Sequence, residues 1–528
     1  MTPIFTRIKE LEIKNKKLPN NSISNKNINI TKLKAEEELK ELKHTDAYRQ
    51  QKLLREEQFP SFVQAPLTVE NLVLGVKDFQ KRDCYKQLEY YFNTDFKNKV
   101  CILNGLSGTG KSTLIYQYLL NMNDDDYSHS AYLKMNSSYS LKDLIRTIDK
   151  LQKLDFKYIF IDDITLVKDF INSAHLISDM YCCDDNKIVL SGSDTLSFWI
   201  ANRNSLYDRN FMIHTTYISY AEHSKLLGTK DIDDYIEYGG ALSLTKDSVS
   251  SLEISNAIKV ESYIDTAICK NIENSLELYK DTYHDYQYVY ELCEHNELST
   301  VINTIFDDIS LRMIKESLVR VFKSKELLSV FNLENNACNQ SIDISEQHLK
   351  QTKDFLKHID LLADLELIRV DLGNTAKTYE NYDLVTQPFL IYRKIENLIN
   401  SFSMDDKFPI QELKASILEN LLTDIVILDC KHKLLNNHAI DIFQINFGIG
   451  EYDMVIWNHS DEENRKCYLY EIKHCDKIVE HQARLLRNTT FLDYMENEFG
   501  TIVKRCILYW GENFTTEDGI VYKNVIKP

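Results

Sequence analysis

Short apolar runs alternate with helical patterns between residues 61 and 240. The runs VCIL (100–103), YIFI (158–161) and IVL (188–190) are rich in β-branched and aromatic residues, and polar or glycine residues follow each of them. Buried strands that alternate with longer amphipathic segments are typical of a parallel sheet covered by helices. We therefore predict an α/β domain in this part of the chain.

The middle of the chain, residues 241–403, has a mostly helical pattern, and no proline occurs between Pro66 and Pro388 to interrupt it. One helical face of its clearest amphipathic segment carries Leu349, Leu356, Ile359 and Leu362. The strand-like tail Leu367–Val370 follows this face. A helix that ends in such a tail indicates a winged-helix module.

The two ends of the chain have different patterns. Residues 1–60 form a charged arm, and residues 31–58 have helical charge spacing but only a thin apolar stripe, so we expect a solvated helix or a partly disordered segment there. Residues 404–528 combine a helix with the strand-like runs EYDMVIW, CYLYEIK and RCILYW. This combination predicts a second, compact α/β domain.

Composition narrows the class of protein. The chain has 528 residues, 43% of them hydrophobic and 27% charged, which indicates a globular protein of several domains. The net charge of −18 argues against uniform coating with nucleic acid, although a local basic groove is compatible with it. Neither a membrane span nor a secretory signal is apparent, and the eleven cysteines form no C-x-x-C pair. We expect a cytoplasmic protein.

The strongest chemical signal is the segment KVCILNGLSGTGKSTL at residues 99–114. It places Gly-x-x-x-x-Gly-Lys-Ser between an apolar strand and a helix, which is the context of a phosphate-binding P-loop. Glycines let backbone N–H groups converge on phosphate oxygens at a helix N-terminus. The predicted ATP-binding residues are Gly105, Ser107, Gly108, Thr109, Gly110, Lys111, Ser112 and Thr113. Lys111 would reach the β- and γ-phosphates, and Ser112 would bind Mg²⁺.

Two further strands end in polar residues that suit this chemistry. The run YIFIDD ends in Asp162, which would hold the Mg²⁺ shell, and in Asp163, which would polarise the attacking water. The run IVLSGSD includes Ser193, which could sense the γ-phosphate or the water. The alternative for the Ser193 segment is an ordinary turn or a helix N-cap, and YIFIDD could be a strand that merely ends in a turn.

The P-loop, YIFIDD, IVLSGSD and the later segment HTTYISYAEHSKLLG together resemble the prokaryotic AAA-type ATPases that carry a C-terminal restriction-nuclease-like domain. The resemblance runs from about residue 69 to the C-terminus and implies that the AAA-type domain occupies residues 61–240. It also implies that Arg209 stabilises the transferring phosphate charge. A surface salt bridge is the alternative role for Arg209, and Arg203 is a rival for the catalytic one.

The C-terminal strands suggest a second chemistry. Asp453 lies on EYDMVIW, and Glu471 and Lys473 lie two residues apart on CYLYEIK, so the latter pair shares a strand face. Two adjacent carboxylates are costly without a cation, and oxygen ligands suit Mg²⁺. A nearby lysine completes the requirements of metal-assisted phosphodiester hydrolysis. A solvated Glu–Lys pair on an edge strand would have the same spacing.

The arrangement D-x17-E-x-K resembles the PD-(D/E)xK nuclease core. The resemblance implies that Asp453 and Glu471 bind Mg²⁺ and that Lys473 assists catalysis. It also implies that Glu419, in LKASILENLL, is the accompanying helical glutamate and that Gln482 is a supporting residue. ATP and Mg²⁺ are thus the expected cofactors. The expected partners are DNA and either a second copy of the chain or another protein, with no membrane.

These observations lead to a hypothesis with two alternatives. The hypothesis is a nucleotide-controlled, Mg²⁺-dependent DNA-processing enzyme, to which fold-level analogy adds a role in defence against foreign DNA. The first alternative is an ATP-dependent regulatory switch whose C-terminal domain binds nucleic acid or protein without cleaving. The second is an ATPase subunit of a larger complex, whose ATP turnover would rise when the partner is added.

Overall fold

The computed structural model describes residues 7–8, 10–12, 34–42, 46–64, 66–167, 170–182, 186–203, 206–240, 242, 256–279, 286–322, 344–373, 376–401, 410–434, 437–461, 463–478 and 483–525. The chain divides into two compact units. Unit 1 comprises Met1–Thr216 and Lys270–Thr282, and unit 2 comprises Tyr217–Cys269 and Tyr283–Pro528. The chain therefore leaves unit 1, enters unit 2 and returns. The division into four parts at residues 60, 240 and 403 stays a prediction.

The strands, in chain order, are β1 (Val100–Asn104), β2 (Ser130–Lys134), β3 (Tyr158–Asp162), β4 (Lys187–Gly192), β5 (Asn210–His214), β6 (Leu362–Asp371), β7 (Ala376–Val385), β8 (Ile440–Asn446), β9 (Glu451–Asn458), β10 (Lys466–Ile472), β11 (Thr501–Tyr509), β12 (Phe514–Thr515) and β13 (Ile520–Asn524). The helices up to residue 238 are α1 (Asp46–Glu56), α2 (Pro66–Gly75), α3 (Tyr85–Asn93), α4 (Lys111–Asn121), α5 (Asp124–Ser128), α6 (Leu141–Lys153), α7 (Phe170–Tyr181), α8 (Thr195–Arg203), α9 (Tyr220–Leu227) and α10 (Ile232–Tyr238). The later helices are α11 (Asn256–Tyr263), α12 (Lys270–Tyr279), α13 (Gln287–Glu294), α14 (Leu298–Phe322), α15 (Glu346–His358), α16 (Pro388–Ser401), α17 (Ile410–Leu434) and α18 (Thr489–Phe499). A π-helical segment, Ile264–Cys269, joins α11 to α12.

Unit 1 is built on a parallel sheet with the strand order β2-β3-β4-β1-β5. All five residues of β1 are buried, as are all six of β4. Strands covered on both faces read as continuous apolar runs, which is why VCIL and IVL were recognisable in the sequence. The predicted α/β fold with a parallel sheet is confirmed. Because every strand runs the same way, the loops that follow the strands meet at one edge.

The helix α1 belongs to the core of unit 1, although it lies in the predicted charged arm. Gln51 is 3% exposed, and its Nε2 donates hydrogen bonds to the carbonyls of Tyr127, Ser128 and Ser130. Leu54 on the same helix is also buried. The segment is helical, which agrees with one of the two expectations, but Gln51 and Leu54 are buried and not solvated. A thin apolar stripe is enough to pack this helix against unit 1, because the amide of Gln51 is also buried and hydrogen-bonded to three carbonyl groups.

Unit 2 is built on a mixed sheet with the order β12-β13-β11-β10-β9-β8-β6-β7. At its centre β10 pairs with β9 antiparallel and with β11 parallel. The core beneath it includes Ile445, Val455, Leu469, Phe491 and Ile507. The hairpin of β9 and β10 therefore lies in the middle of the sheet, where neighbouring strands hold its register on both sides.

The helix predicted around residues 349–362 is shorter than expected. Helix α15 ends at His358, Ile359 forms its C-cap, and Leu362 already belongs to β6. The alternation of buried and exposed residues in β6 explains the difference, since a period of two favours a strand. The antiparallel hairpin of β6 and β7 also pairs with β8 in parallel, so it extends the sheet of unit 2. The winged-helix assignment stays a prediction.

Within the described ranges, none of the helices has both the length and the apolar character that a bilayer crossing requires.

Candidate functional site

The P-loop connects β1 to α4 with the backbone that its glycines allow. Gly108 and Gly110 have φ angles of 80° and 89°, in the left-handed region. A Cβ atom on Gly105 would lie 2.2 Å from the hydroxyl of Thr215, so no larger residue fits there. Gly110 is the N-cap of α4 and supplies no side-chain cap. The N–H groups of the first turn are thus left for another acceptor, which suits a phosphate group.

Lys111 is buried beneath this loop. Its ammonium donates hydrogen bonds to the carbonyls of Gly105 and Leu106, each at 2.7 Å. Burial lowers the pKa of Lys111 to about 8, although the charges of Asp162 and Asp163 act in the opposite direction. An enclosed ammonium whose direct partners are carbonyl groups gains stability when an anion binds beside it.

Residues outside the motif hold the loop in shape. The buried guanidinium of Arg82 donates to the carbonyl of Thr109 at 2.6 Å and to that of Thr215 at 2.7 Å. The hydroxyl of Thr216 accepts a hydrogen bond from the N–H of Leu106 at 3.2 Å. Sequence reasoning missed Arg82, Thr215 and Thr216. Their role depends on how the segments before α3 and after β5 pack against the loop.

The two predicted Mg²⁺ ligands of unit 1 are in direct contact. The hydroxyl of Ser112 donates to Asp162 Oδ2 at 2.8 Å, and the hydroxyl of Tyr132 and the ammonium of Lys134 reach the same oxygen at 2.7 Å. Ser191 donates to the other oxygen of Asp162. Burial acts to raise the pKa of Asp162, but Lys134 and the hydrogen bonds outweigh it, so this pKa is lowered. Asp162 is therefore a buried, ionised carboxylate.

Lys134 is a site residue that sequence reasoning missed. Its ammonium also lies 2.6 Å from Asp163 Oδ2, so one lysine joins both acidic residues. Strand pairing explains the contact, since Lys134 lies opposite Asp162 in the register of β2 and β3. The signal was available in the run SAYLK, which ends in a lysine at the edge where the strands of a parallel sheet terminate.

Ser193 lies at the same edge of the sheet as the P-loop. It follows β4, and Gly192 at the end of β4 lies opposite Asn104 at the end of β1. The carbonyl of Ser193 accepts a hydrogen bond from Asn271 on α12. The sensing role of Ser193 stays a prediction.

The neighbouring Asp194 has the N-cap role that was an alternative for this segment. Its carboxylate accepts a hydrogen bond from the N–H of Ser197 at 3.0 Å, at the start of α8. The hydroxyl of Ser275 on α12 donates to the same carboxylate. Thus α12, which follows the excursion of the chain into unit 2, contacts the loop after β4 through two consecutive residues.

Arg209 lies near the opposite end of β1 from the P-loop of its own chain, and its catalytic role stays a prediction. Its carbonyl accepts a hydrogen bond from Val100 N, at the first residue of β1. The P-loop begins after the last residue of β1, roughly 13 Å further along the strand. The side chain of Arg209 instead contacts Asp179 at 2.6 Å, the surface salt bridge that was its alternative. The side chain of the rival Arg203 lies outside the described part of the structure.

In unit 2 the four predicted nuclease residues converge. The ammonium of Lys473 lies 3.1 Å from Glu419 Oε1, 3.4 Å from Asp453 Oδ2 and 3.3 Å from Glu471 Oε2. Helix α17 supplies Glu419, β9 supplies Asp453, and β10 and the residue after it supply Glu471 and Lys473. Gln482 lies outside the described residues. The structure therefore brings together one helix and two central strands around a single ammonium group.

The charges at this point are largely removed from water. Asp453 is 7% exposed and Glu471 is 3% exposed. Burial and the charge of Asp453 raise the pKa of Glu471 well above its usual value. Burial alone would lower the pKa of Lys473, but Asp453, Glu471 and Glu419 outweigh it and raise this pKa. Lys473 is thus held as a cation, and it is suited to offset negative charge and not to act as a general base.

One atom of this cluster lacks a partner. Glu471 Oε1 is buried and makes no hydrogen bond to any described residue. By contrast, Asp453 Oδ2 accepts a hydrogen bond from Ile472 N at 2.6 Å. A free carboxylate oxygen beside a second carboxylate fits a Mg²⁺ ion. Over the described ranges, no group of three or more His, Cys, Asp and Glu residues is already arranged as a metal site, and Lys473 lies where these carboxylates meet.

Two charged residues extend the cluster beyond the predicted set. Arg320 on α14 lies 3.5 Å from Glu419 Oε1 and 3.1 Å from Glu451 Oε1. Asn446 donates to the other oxygen of Glu451 at 2.9 Å. Glu451 precedes Asp453 by two residues on β9, so the period of the strand could have indicated it. Arg320 had no sequence signal, because α14 lies far from the nuclease motif along the chain.

Comparison with known proteins identifies part of unit 1. Residues 97–224 match the family model of an AAA domain. With the parallel sheet and the P-loop geometry, this match shows that the chain contains an AAA-type P-loop ATPase domain. A search among curated proteins finds no match.

Solved structures give only distant similarities. A complex of S. cerevisiae Hsp104 with casein has 10% identity and a TM-score of 0.21, over 35% of this chain and 32% of that chain. An S. cerevisiae Hsp104–ADP complex has 13% identity and a TM-score of 0.26, over 71% and 55%. The Aeropyrum pernix ORC1 protein in complex with DNA has 12% identity and a TM-score of 0.22, over 64% and 97%. The chain thus spans about a third of the first Hsp104 chain.

Proposed function

We propose that the protein is an ATP-controlled nuclease: an AAA-type ATPase whose unit 2 cleaves DNA with the help of Mg²⁺. The observation that carries the proposal is the contact of Lys473 with Glu419, Asp453 and Glu471 in the centre of the unit 2 sheet. Burying such a charge cluster costs desolvation free energy, and clusters of this kind are found most often at functional sites. Defence against foreign DNA is the biological setting that we infer from fold-level analogy.

The ATPase part of the proposal assigns roles to residues of unit 1. Lys111 binds the β- and γ-phosphates, and the first-turn N–H groups of α4 bind phosphate oxygens. Ser112 and Asp162 are the residues that would hold Mg²⁺, which would neutralise phosphate charge. Lys134 already lies 2.7 Å from Asp162, so a bound ion would share this carboxylate with it. Asp163 orients the attacking water, and Ser193 responds to the γ-phosphate.

The nuclease part assigns four roles in unit 2. Asp453 and Glu471 are the residues that would hold Mg²⁺, which would activate a water for attack on a phosphodiester. Glu471 contributes the oxygen that has no hydrogen bond among the described residues. Lys473 stays protonated and offsets the charge that develops on the phosphate. Glu419 holds Lys473 in position through the 3.1 Å contact.

Control by the nucleotide is supported by the connection between the units. Thr216, the residue before the boundary, accepts a hydrogen bond from Leu106 of the P-loop. Tyr217, the residue after it, donates to Asp429 on α17 at 3.3 Å, and α17 also carries Glu419. Consecutive residues are thus bound to the phosphate loop in one unit and to the glutamate helix in the other. A shift of the loop on ATP binding would be transmitted along this link.

The test is cleavage of plasmid and single-stranded DNA by the full chain with Mg²⁺, with and without ATP. Lys473→Ala should abolish cleavage, and Lys111→Ala should remove its dependence on ATP. Lys466→Ala is a matched control, because Lys466 is exposed at the start of β10 and should leave cleavage unchanged. Equal cleavage by the wild type and by Lys473→Ala would refute the proposed nuclease site.

A second candidate function is a regulatory switch whose unit 2 binds nucleic acid or a partner without cleaving. It is favoured by the fact that Lys473 and Arg320 already contact the carboxylates that a metal ion would need. Glu471→Ala separates the two candidates. A nuclease loses its biological effect with this substitution, whereas a switch retains it.

A further inference from the structure

Unit 2 contains a cleft of about 540 Å³ beside the carboxylate cluster. Its floor is the face of the sheet formed by β6 to β9, and residues of α14 and α17 line its other walls. Asp453, one of the proposed Mg²⁺ ligands, lies in its lining. A ligand in this cleft would therefore lie directly beside the proposed site of cleavage.

We propose that this cleft binds one nucleotide of a single nucleic-acid strand, so that unit 2 acts on single-stranded or frayed ends and not on continuous duplex. The choice of nucleic acid as the ligand rests on the proposed nuclease function. The cleft has the volume of a small-molecule pocket, which is typically about 300–1,000 Å³. A cleft of this volume encloses about one nucleotide, so a base-paired nucleotide would first have to leave its duplex.

Three arginines line the cleft together with several carboxylates, and two of them are already paired, Arg320 with Glu419 and Glu451 and Arg369 with Glu380. Arg312 is therefore the arginine that suits the phosphate of such a nucleotide. Arg312 and Arg320 lie on α14, and Arg369 lies on β6. The Nε of Arg312 is buried and makes no hydrogen bond to a described residue, with its nearest carboxylate, Glu316, at 3.9 Å. Guanidinium groups bind phosphate oxygens through paired N–H donors. The side chain of Arg312 is 24% exposed, so the exposed part of its guanidinium is the donor that we propose for an incoming phosphate.

The cleft also suits a base. The guanidinium of Arg312 stacks on the ring of Tyr382, 4.3 Å from its centroid. Aromatic rings and arginine planes are the surfaces on which proteins stack single-stranded bases. Gln444 on β8 lines the same cleft, and its amide can donate to and accept from a base edge. Phosphate donors, a stacking surface and an amide thus lie within one nucleotide-sized space.

Binding by the full chain, in the absence of divalent metal, tests the proposal. The probes are a fluorescent single-stranded oligonucleotide, a blunt duplex of the same sequence, and this duplex with a single-stranded overhang. The wild type should prefer the single strand and the overhang over the blunt duplex. Arg312→Ala and Tyr382→Leu should each weaken single-strand binding by about 10-fold and leave blunt-duplex binding unchanged.

Two variants guard against trivial explanations. Tyr382→Phe keeps the ring and should bind the single strand within about 2-fold of the wild type, which distinguishes lost stacking from a damaged fold. Arg487→Ala removes an exposed arginine of unit 2 that pairs with Asp518 away from the cleft, and it should have no effect. A preference for blunt duplex, or equal losses for the single strand and the duplex, would overturn the proposal.

Cleavage separates this proposal from the nuclease function on which it rests. If DNA is cleaved through Lys473 but Arg312→Ala and Tyr382→Leu bind and cut single strands normally, the cleft proposal fails and the nuclease stands. If no DNA is cut but single-strand binding still depends on Arg312 and Tyr382, the cleft stands as a nucleotide site and the nuclease fails.

Discussion

The two units each enclose a buried lysine, and the surroundings of the two lysines are opposite. Lys111 in unit 1 is bound to two carbonyl oxygens, and burial lowers its pKa to about 8. Lys473 in unit 2 contacts three carboxylates, which outweigh burial and raise its pKa. The first is an unneutralised charge that is ready for an anion. The second is a counter-ion that its own protein already neutralises.

The comparison teaches that a buried lysine does not by itself indicate one chemistry. What matters is whether the surrounding oxygens carry charge. Around Lys111 the direct partners are dipoles, so phosphate binding supplies the missing negative charge. Around Lys473 the direct partners are carboxylates, so a divalent cation is the ligand that we propose for this cluster. The predictions below test this contrast, beginning with the largest effect.

Removing the counter-ion should destabilise unit 2. We expect Lys473→Met to lower the free energy of unfolding of this unit by about 3–5 kcal/mol, because Asp453 and Glu471 are left buried without their cation. Millimolar Mg²⁺ should restore part of the loss if these carboxylates bind it. Urea unfolding followed by a probe within unit 2 measures the effect, with Lys466→Met as the control. A loss below about 1 kcal/mol would contradict the counter-ion role.

Removing the ammonium of Lys111 should have the opposite result, with a large loss of ATP binding and no loss of stability. We expect Lys111→Met to weaken ATP binding by about 100-fold or more, since the main cation facing the phosphates is lost. The stability of unit 1 without nucleotide should stay the same or rise, because a buried charge is removed. Isothermal titration and thermal unfolding check the two parts. Lys99→Met, at the start of β1, is the matched control, and a clear loss of stability in Lys111→Met alone would break the contrast.

Titration of Lys111 should make nucleotide binding depend on pH. The pKa of Lys111 in the folded protein is about 8, below the usual 10.5. The folded protein therefore loses this proton at a lower pH than the unfolded chain does. The contribution of Lys111 to stability therefore increases as the pH rises from about 8 to 10.5. Binding of ATP needs the proton, so affinity should fall about 10-fold between pH 7 and pH 9. Calorimetry at pH 8.5 in two buffers should detect proton uptake, and its absence would argue against the shift.

The smallest effect is expected at Arg209. Because its side chain pairs with Asp179 at the far edge of the sheet, Arg209→Ala should change ATP affinity and turnover by less than about 2-fold in dilute protein. Arg82→Ala is the contrasting variant, since Arg82 donates to the P-loop carbonyl of Thr109 and its loss should weaken binding. A large loss of turnover in Arg209→Ala that grows with protein concentration would mean that this arginine acts on a second copy.

The two sites also differ in how far the sequence could predict them. The P-loop lies within one continuous segment, and local physics places its strand, glycines and helix, so Gly105, Lys111 and Ser112 could be recognised directly. The run SAYLK places Lys134 at the right edge of the sheet, but neither Lys134 nor Ser191 could be paired with Asp162 from sequence, because the pairing depends on the order of the strands. Strand order is a tertiary property that no short motif encodes.

In unit 2 the motif predicted the convergence of Asp453 with Glu471 and Lys473, because a hairpin with one short loop leaves few possible registers. Arg320 was missed because its contact with Glu419 joins two helices that are distant in the chain. The burial of Gln51 and Leu54 in α1 and the strand at Leu362 were missed for the same reason. Burial there depends on which neighbours the fold provides, and charge spacing or helical period alone does not determine it.

The return of the chain to unit 1 has a consequence for its synthesis. Helix α12, which binds Ser193 and Asp194 through Asn271 and Ser275, follows an excursion through unit 2 that begins at Tyr217. At about 5–20 residues per second, the ribosome adds the intervening segment in roughly 3–11 seconds. During this interval the nascent ATPase fold lacks the helix that supports the loop after β4. The two units therefore cannot fold strictly one after the other, and neither can be exchanged as an uninterrupted block of sequence.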